Sequence, residues 1–426
     1  MSHLHVAPTP PMGWNSWDCY GAAVTEAEIR GNAEYMATNL KEFGWEYIIV
    51  DIQWYEPGAH SSQYRPFVPL MTDEYSRLIP AVNRFPSAEG GKGFRPLSDY
   101  VHSLGLKFGI HIMRGIPRQA VHANTPIKNS AVTARDIAHP NSICPWNTDM
   151  YGIDASKEGA QAYYNSLFEL YAEWGVDFIK VDDIAASRLY DAHLPEIELI
   201  HNAIKHCGRP IVLSLSPGPA PLEHADFFEK HANMWRMTDD FWDLWDLLLD
   251  MFDRCEKWQG RTGAGHWPDC DMLPLGHIGI RSVDGGGADR WTRFTRDEQV
   301  TMMTLWSIFR SPLFFGGELR DNDEWTNSLL TNRDILDMHQ NSTGAKQVSR
   351  EDNRVVWSAE GDAGTRYVAL FNTGETELEV TVTLESLGFT GSVSGKELWS
   401  GVDQQEIHGS LSSVLAPHGA AVYRLK

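Results

Sequence analysis

The feature that most constrains this chain is an alternation. Between Pro11 and about Gly317, short apolar runs with the character of β-strands alternate with longer amphipathic stretches. The strand-like runs are residues 13–17, 47–54, 106–113, 176–183, 210–216, 234–239, 266–272 and 312–317. Helical patterns fall between them, among them 26–43, 159–174, 194–206 and 241–258. Strand followed by helix, eight times over, is the arithmetic of a closed parallel barrel. A doubly wound open sheet is the competing architecture, but it normally needs fewer strands and places its ligands differently.

After about Asn341 the texture changes to short alternating runs at 355–358, 367–371, 378–384, 395–399 and 420–425, split by Gly, Thr and Asp. That pattern predicts a small antiparallel β-sandwich. The expected organisation is therefore an α/β chain: a (β/α)8 TIM barrel over residues 1–341, then a C-terminal antiparallel β-sandwich over 342–426. Two barrel connections, 55–97 and 115–156, are too long for plain crossovers and are rich in Pro, Asn, Arg and aromatic residues. Long loops after barrel strands lie on the catalytic face and shape the pocket.

Composition narrows the partners. The net charge is −21, from 36 basic and 57 acidic residues. Such a field repels phosphate backbones and anionic membranes, so a neutral substrate fits better than nucleic acid or lipid. Sixteen tryptophans favour a carbohydrate ligand, because an indole is a platform for the apolar face of a sugar, although most tryptophans in any protein are core. The N-terminal residues lack the basic start and apolar core of a secretory signal, and no apolar stretch is long enough to span a bilayer. The five cysteines are scattered and form no CxxC pair. Reduced thiols in a cytoplasm are the plain reading. No cofactor and no metal are expected, and a homo-oligomer is compatible with this composition.

Polar residues where barrel strands end are the first candidates for catalysis. Asp51 ends one run, Lys180, Asp182 and Asp183 another, and Arg236, Asp239 and Asp240 a third. Any one aspartate there could be a helix N-cap. Three such clusters, with a tryptophan-rich rim, point to a pocket that binds hydroxyls and holds paired acids. Glycoside hydrolysis needs two carboxyls, which in the retaining version stand roughly 5–5.5 Å apart. Asp182 and Asp240 could face each other across a barrel mouth.

The chain resembles glycoside hydrolase family 27, the α-galactosidase and α-N-acetylgalactosaminidase family, over nearly its whole length. The matching segments are PMGWNSW (11–17), GVDFIKVD (175–182), WRMTDDFWDLW (235–245), DML (271–273), WSIFRSPL (306–313) and DILDMHQN (334–341). The resemblance implies Asp182 as nucleophile and Asp240 as acid/base, with Asp239 as the rival acid. It also implies that Lys180 and Arg236 bind ring hydroxyls, that Trp17 stacks on the sugar, and that Asp51 holds a hydroxyl. Asp271 is expected at the substrate, and His111, where the family often has Tyr, as a pocket contact. Trp14 is expected to pack in the barrel floor.

The departures bear on the substrate. The family's galactosidases carry two adjacent acids after the second strand, for the 4- and 6-hydroxyls, and here the second is Ile52. An unmade hydrogen bond to a buried hydroxyl costs about 1–3 kcal/mol. α-D-Galactose without its CH₂OH is β-L-arabinopyranose, so Ile52 suits an arabinopyranoside and resembles the family's β-L-arabinopyranosidases. α-Galactosidase is the alternative, with Gln53, Glu56 or the long second loop replacing the lost acid. Ser216, in SLSPGP (214–219), stands where galactosidases have a bulky Glu, which leaves α-N-acetylgalactosaminidase as a third reading. A sugar-binding protein on an inactive barrel is disfavoured, since both aspartates remain. A metal-dependent hydrolase using Asp269 and Asp271 is disfavoured by the lack of an HxH or HExxH cluster.

Overall fold

The computed structural model describes residues 2–61, 63–187, 189–283 and 287–426. Eight strands, β1 (Met12–Asn15), β2 (Tyr47–Val50), β3 (Lys107–Met113), β4 (Phe178–Asp182), β5 (Val212–Leu215), β6 (Met234–Arg236), β7 (Trp267–Asp269) and β8 (Leu313–Phe315), form one parallel sheet. Their order is β7-β6-β5-β4-β3-β2-β1-β8. The two edges meet at a parallel bridge between Leu273 and Phe315. There the Leu273 N–H donates to the Phe314 carbonyl at 2.7 Å and the Gly316 N–H to the Leu273 carbonyl at 3.0 Å. The sheet is therefore closed, and the open doubly wound alternative falls away.

All eight expected strands exist, but each is shorter than its apolar run. The run 47–54 keeps only Tyr47–Val50 in the ladder, and Asp51 onward turns into loop. Trp17 leaves β1 because its backbone N–H is captured by Asn15 Oδ1 at 2.9 Å, opening the single turn Trp17–Tyr20. Strands of a parallel sheet are covered on both faces, so Tyr47–Val50 and Val212–Leu215 are buried throughout. Helix starts follow local chemistry: Thr25 with Glu28, and Thr295 with Glu298, form capping boxes that open Glu26–Asn39 and Arg296–Phe309.

The barrel interior is filled by rings. Tyr47, Phe178 and Phe314 contact one another with centroids 5.2 to 6.4 Å apart. Gly13 pairs in register with both Tyr47 and Phe314 and makes room for them. A Cβ at Gly13 would lie 2.5 Å from the Tyr47 carbonyl oxygen and 2.9 Å from the Phe314 ring.

The long connection after β3 folds into a three-stranded antiparallel sheet of Ile116–Pro117, Ala138–Ile143 and Met150–Ile153. Beyond the helix Arg333–Asn341, a six-stranded sheet contains Thr343–Glu351, Arg354–Glu360, Arg366–Asn372, Val393–Glu397, Asp403–Ile407 and Ala420–Leu425. Leu378–Thr383 and Ser410–Leu415 make a second, two-stranded sheet. Between the sheets Val368, Leu370, Val380, Val382, Leu411 and Tyr423 form a separate small core. Phe371 and Trp357 pack instead on Phe252 and Phe309 of the barrel helices. Among the described residues no helix is long and apolar enough to cross a membrane.

Because the nearest obstacle at Gly13 is backbone, Gly13→Ala should destabilise the barrel by about 1–3 kcal/mol. Calorimetric melting would read this as a lower Tm, and an unchanged Tm would mean that the ring layer yields.

Candidate active site

The carboxyl ends of the strands open into a cavity of about 540 Å³ lined by Trp17, Asp51, Ile52, Tyr64, Trp146, Lys180, Asp182, Pro217, Asp239 and Asp240. Alternation along β4 aims Phe178, Lys180 and Asp182 to one face, the barrel interior. Lys180 stands in register with His111 on β3 and Ser214 on β5.

Asp182 closes β4. His111 Nε2 donates to its Oδ2 at 2.9 Å and the Asp183 N–H donates to its Oδ1 at 2.8 Å. A carboxylate only accepts, so these contacts require the Nε2–H tautomer of His111. Burial alone would push the Asp182 carboxyl up. The His111 hydrogen bond and charge, Lys180 and the Asp183 amide together outweigh burial and hold it below the ordinary carboxylate value. The following residue, Asp183, points away. Its carboxylate pairs with Arg114 at 2.8 Å, and burial raises it to about 6.

Asp51 follows β2 and accepts from Asn15 Nδ2 at 2.8 Å, Lys180 Nζ at 3.0 Å and the Ile52 N–H at 2.8 Å. Burial opposes its charge, but Lys180, His111, the Ile52 amide and Asn15 bring it down to about 2. Lys180 is itself desolvated, yet the carboxylates of Asp51 and Asp182 raise it and keep it protonated.

A second charged set comes from β6 and β7. Arg236 donates to Asp240 Oδ1 at 3.0 Å and pairs with Asp271 Oδ1 at 2.9 Å. Asp271 Oδ2 takes the Phe241 N–H at 2.8 Å, and its own N–H donates to Asp269 Oδ1 at 2.8 Å. The Asp240 side chain is half exposed, while Arg236 is buried.

Of the expected site residues, Trp17, Asp51, Ile52, Lys180, Asp182 and Asp240 share the cavity wall, as does the rival Asp239. Four others do not. His111 is fully buried and reaches the site only through Asp182. Ser216, Arg236 and Asp271 surround a narrower space in the barrel below. Arg236, expected on ring hydroxyls, is committed to Asp240 and Asp271, and Asp271, expected at the substrate, has both oxygens engaged by Arg236 and Phe241. Asp269 and Asp271 serve this network, and the described residues contain no group of three or more His, Cys, Asp or Glu able to hold a metal. Trp14 is buried, its indole N–H donating to the Gly317 carbonyl at 2.7 Å.

Sequence reasoning missed Tyr64, Trp146 and Pro217. Tyr64 stacks on Trp17 at 6.4 Å and 12°, and lies 5.5 Å from Trp146. The aromatic content of the two long loops was the available signal. Gln53 and Glu56 do not reach the cavity. The Gln53 amide donates to Asp149 at 2.9 Å, and Glu56 accepts from the Gly58 N–H and Arg65.

Comparison with known proteins agrees with this fold. Residues 147–341 match the family described as alpha galactosidase A, and residues 351–425 match the alpha galactosidase C-terminal beta sandwich domain. The chain is similar to a β-L-arabinopyranosidase of glycoside hydrolase family 27 from Geobacillus stearothermophilus, at 68% identity and a TM-score of 0.99, covering 100% of this chain and 98% of that one. An aspartate-to-alanine variant of that enzyme in complex with arabinose is 67% identical, again with a TM-score of 0.99, covering 100% and 99%. A putative α-N-acetylgalactosaminidase from Bacillus halodurans is 62% identical with a TM-score of 0.90, covering 98% and 97%. Among curated proteins, alpha-galactosidase 2 of Arabidopsis thaliana is 26% identical over 425 residues, covering 99% of this chain and 90% of that protein. Fold, site and likeness converge: the chain belongs to glycoside hydrolase family 27 and is a glycosidase.

Proposed function

We propose that the chain is a retaining β-L-arabinopyranosidase that removes a terminal sugar by double displacement, with Asp182 as nucleophile and Asp240 as acid/base. One observation carries the substrate choice: Ile52, beside the hydroxyl-binding Asp51, supplies the cavity with branched hydrocarbon where a galactosidase needs an acceptor for the 6-hydroxyl. Gln53 and Glu56 are engaged elsewhere, so neither restores that acceptor. The neighbouring wall is aromatic, from Tyr64 and Trp146. Likeness to a β-L-arabinopyranosidase supports the same reading. Ser216, on which the N-acetylgalactosaminidase reading rests, lines the narrower space below and not the cavity wall, so it favours that reading less than Ile52 favours the arabinopyranoside.

In the first step Asp240 gives its proton to the glycosidic oxygen while an Asp182 oxygen attacks the anomeric carbon, forming a glycosyl ester. In the second, Asp240 takes a proton from water, which attacks the same carbon and releases Asp182. His111 and the Asp183 amide fix the orientation of the nucleophile, and Lys180 balances its charge against Asp51. Asp271 holds Arg236 in place beneath Asp240.

Asp182→Asn should abolish turnover of a p-nitrophenyl β-L-arabinopyranoside without unfolding the protein. In wild type, proton NMR of the first-formed sugar should show the substrate's own anomer, and the opposite anomer would rule out double displacement. The acid limb of kcat/KM should lie below the ordinary carboxylate value near 4, because Asp182 must be ionised and activity is lost only as the pH falls through its depressed value. His111→Phe removes the donor, so this limb should move to higher pH; a stationary limb would mean that the hydrogen bond does not set it. Wild type should prefer arabinopyranoside to galactoside by roughly 5- to 150-fold in kcat/KM, the equivalent of one unpaired hydroxyl. Ile52→Asp should shift that ratio toward the galactoside, whereas parallel loss on both substrates would place Ile52 in packing alone.

A further inference from the structure

Arg114 stands one position past β3 and does not line the cavity, yet its contacts converge on the residue that follows Asp182. It is 3% exposed. Its backbone N–H donates to the Asp182 carbonyl at 3.1 Å, and its Nε donates to the Asp183 carbonyl at 2.6 Å. Its Nη2 pairs with the Asp183 carboxylate at 2.8 Å. One residue therefore holds the carbonyls on both sides of Asp183 and its side chain as well.

Asp183 needs such a grip. Its φ is +58°, in the left-handed region, which is costly for a residue with a Cβ and persists only where the surroundings hold it. This turn leaves the Asp183 N–H on Asp182 Oδ1 at 2.8 Å. A trans peptide is planar, so anchoring the Asp182 carbonyl also sets the direction of that N–H. His111, three residues before Arg114 on β3, holds the other oxygen, Oδ2, at 2.9 Å. The end of β3 thus grips both oxygens of the carboxylate, directly through His111 and indirectly through Arg114.

The guanidinium is built into its place. Nη1 reaches Glu196 at 3.5 Å, and Glu196 accepts from the Tyr164 hydroxyl at 2.5 Å, which in turn accepts the Gly115 N–H at 2.9 Å. Gly152, on the strand Met150–Ile153, leaves the space, for a Cβ there would lie 2.4 Å from Nη1. A buried guanidinium is costly unless matched, and the carboxylates of Asp183 and Glu196 match it. The bond to the Asp183 carbonyl is additional, and it falls on the turn itself.

We propose, on the reading that Asp182 is the nucleophile, that Arg114 is its positioning residue, clamping Asp183 in the left-handed turn so that the Asp183 amide stays aimed at Asp182 Oδ1. The clamp outlasts the titration of its own ion pair. Burial raises the Asp183 carboxyl to about 6, so it takes a proton before Asp182 as the pH falls, but the bond from Nε to the carbonyl does not titrate.

Arg114→Met keeps an unbranched side chain and removes the guanidinium. It should lower kcat roughly 10- to 100-fold through misplacement of the carboxylate, while KM, set by a cavity that Arg114 does not line, changes little. The acid limb of kcat/KM should move to higher pH by about half a unit or more, because Asp182 loses an aimed donor. Glycine adopts the left-handed turn without penalty and leaves no carboxylate unpaired. Arg114→Met/Asp183→Gly should therefore recover most of the lost kcat and bring the limb back. Arg114→Lys, a point charge without the planar fork, should shift the limb in the same direction and serves if Arg114→Met does not fold. Folded Arg114 variants with unchanged kcat and limb overturn the clamp. So does a loss of kcat with a stationary limb, or a double variant no better than Arg114→Met. Normal turnover by Asp182→Asn would instead remove the nucleophile assignment. The clamp would then be judged on the Asp182 carboxyl itself, whose ¹³C NMR titration must still move to higher pH in the Arg114 variants, or the clamp is refuted.

Discussion

The site depends on Lys180. Its ammonium sits inside a barrel whose upper end also buries Asp18, Asp51, Asp182, Asp269 and Asp271, and Arg236 is the other buried cation among them. Five carboxyls against two cations cannot all ionise in so little water. The structure divides them by proximity. Asp51 and Asp182, next to Lys180 and His111, are held low. Asp269, desolvated and beside Asp271, is raised to about 7, and Asp18, wholly buried against the same group of acids, rises well above its usual value. Removing the ammonium would leave Asp51 with His111, Asn15 and the Ile52 amide, and Asp182 with His111 and the Asp183 amide.

That division shows how positioning and chemistry are joined. Lys180 and Asp182 are two residues apart on one strand, Asp51 follows the second strand, and His111 stands in register on the third. Of these residues Asp51 alone lies outside a strand, at the first position after β2. Asp240, by contrast, is half exposed four residues beyond the end of the short β6, where Arg236 holds it. The Asp182 carboxylate is therefore fixed by the scaffold, while the Asp240 carboxyl keeps contact with solvent, which suits the nucleophile and proton-donor roles proposed for them.

The barrel was legible because its strands are covered on both faces and read as unbroken apolar runs. Charges within such a run, as in FIKVD, mark the site directly. The strands Thr343–Glu351, Asp403–Ile407 and Ser410–Leu415 were not legible, since they alternate with exposed polar residues and bury few side chains. Tyr64 and Trp146 were hidden for a different reason: a connection of some forty residues has no period by which a side chain can be placed. Nor does spacing tell which of several inward-facing groups meets solvent. Arg236 and Asp271 are as polar as Asp182, yet they line the narrower space below the cavity, paired with each other and, for Arg236, with Asp240 as well.

The layer of Tyr47, Phe178 and Phe314 closes the barrel directly under Lys180. A vessel sealed at its base has one door. With that floor beneath them, Asp51, Lys180 and Asp182 are reached through the mouth that Tyr64 and Trp146 help to wall. In the reaction proposed, arriving substrate and departing product would then share that mouth, and each turnover would wait for it to clear.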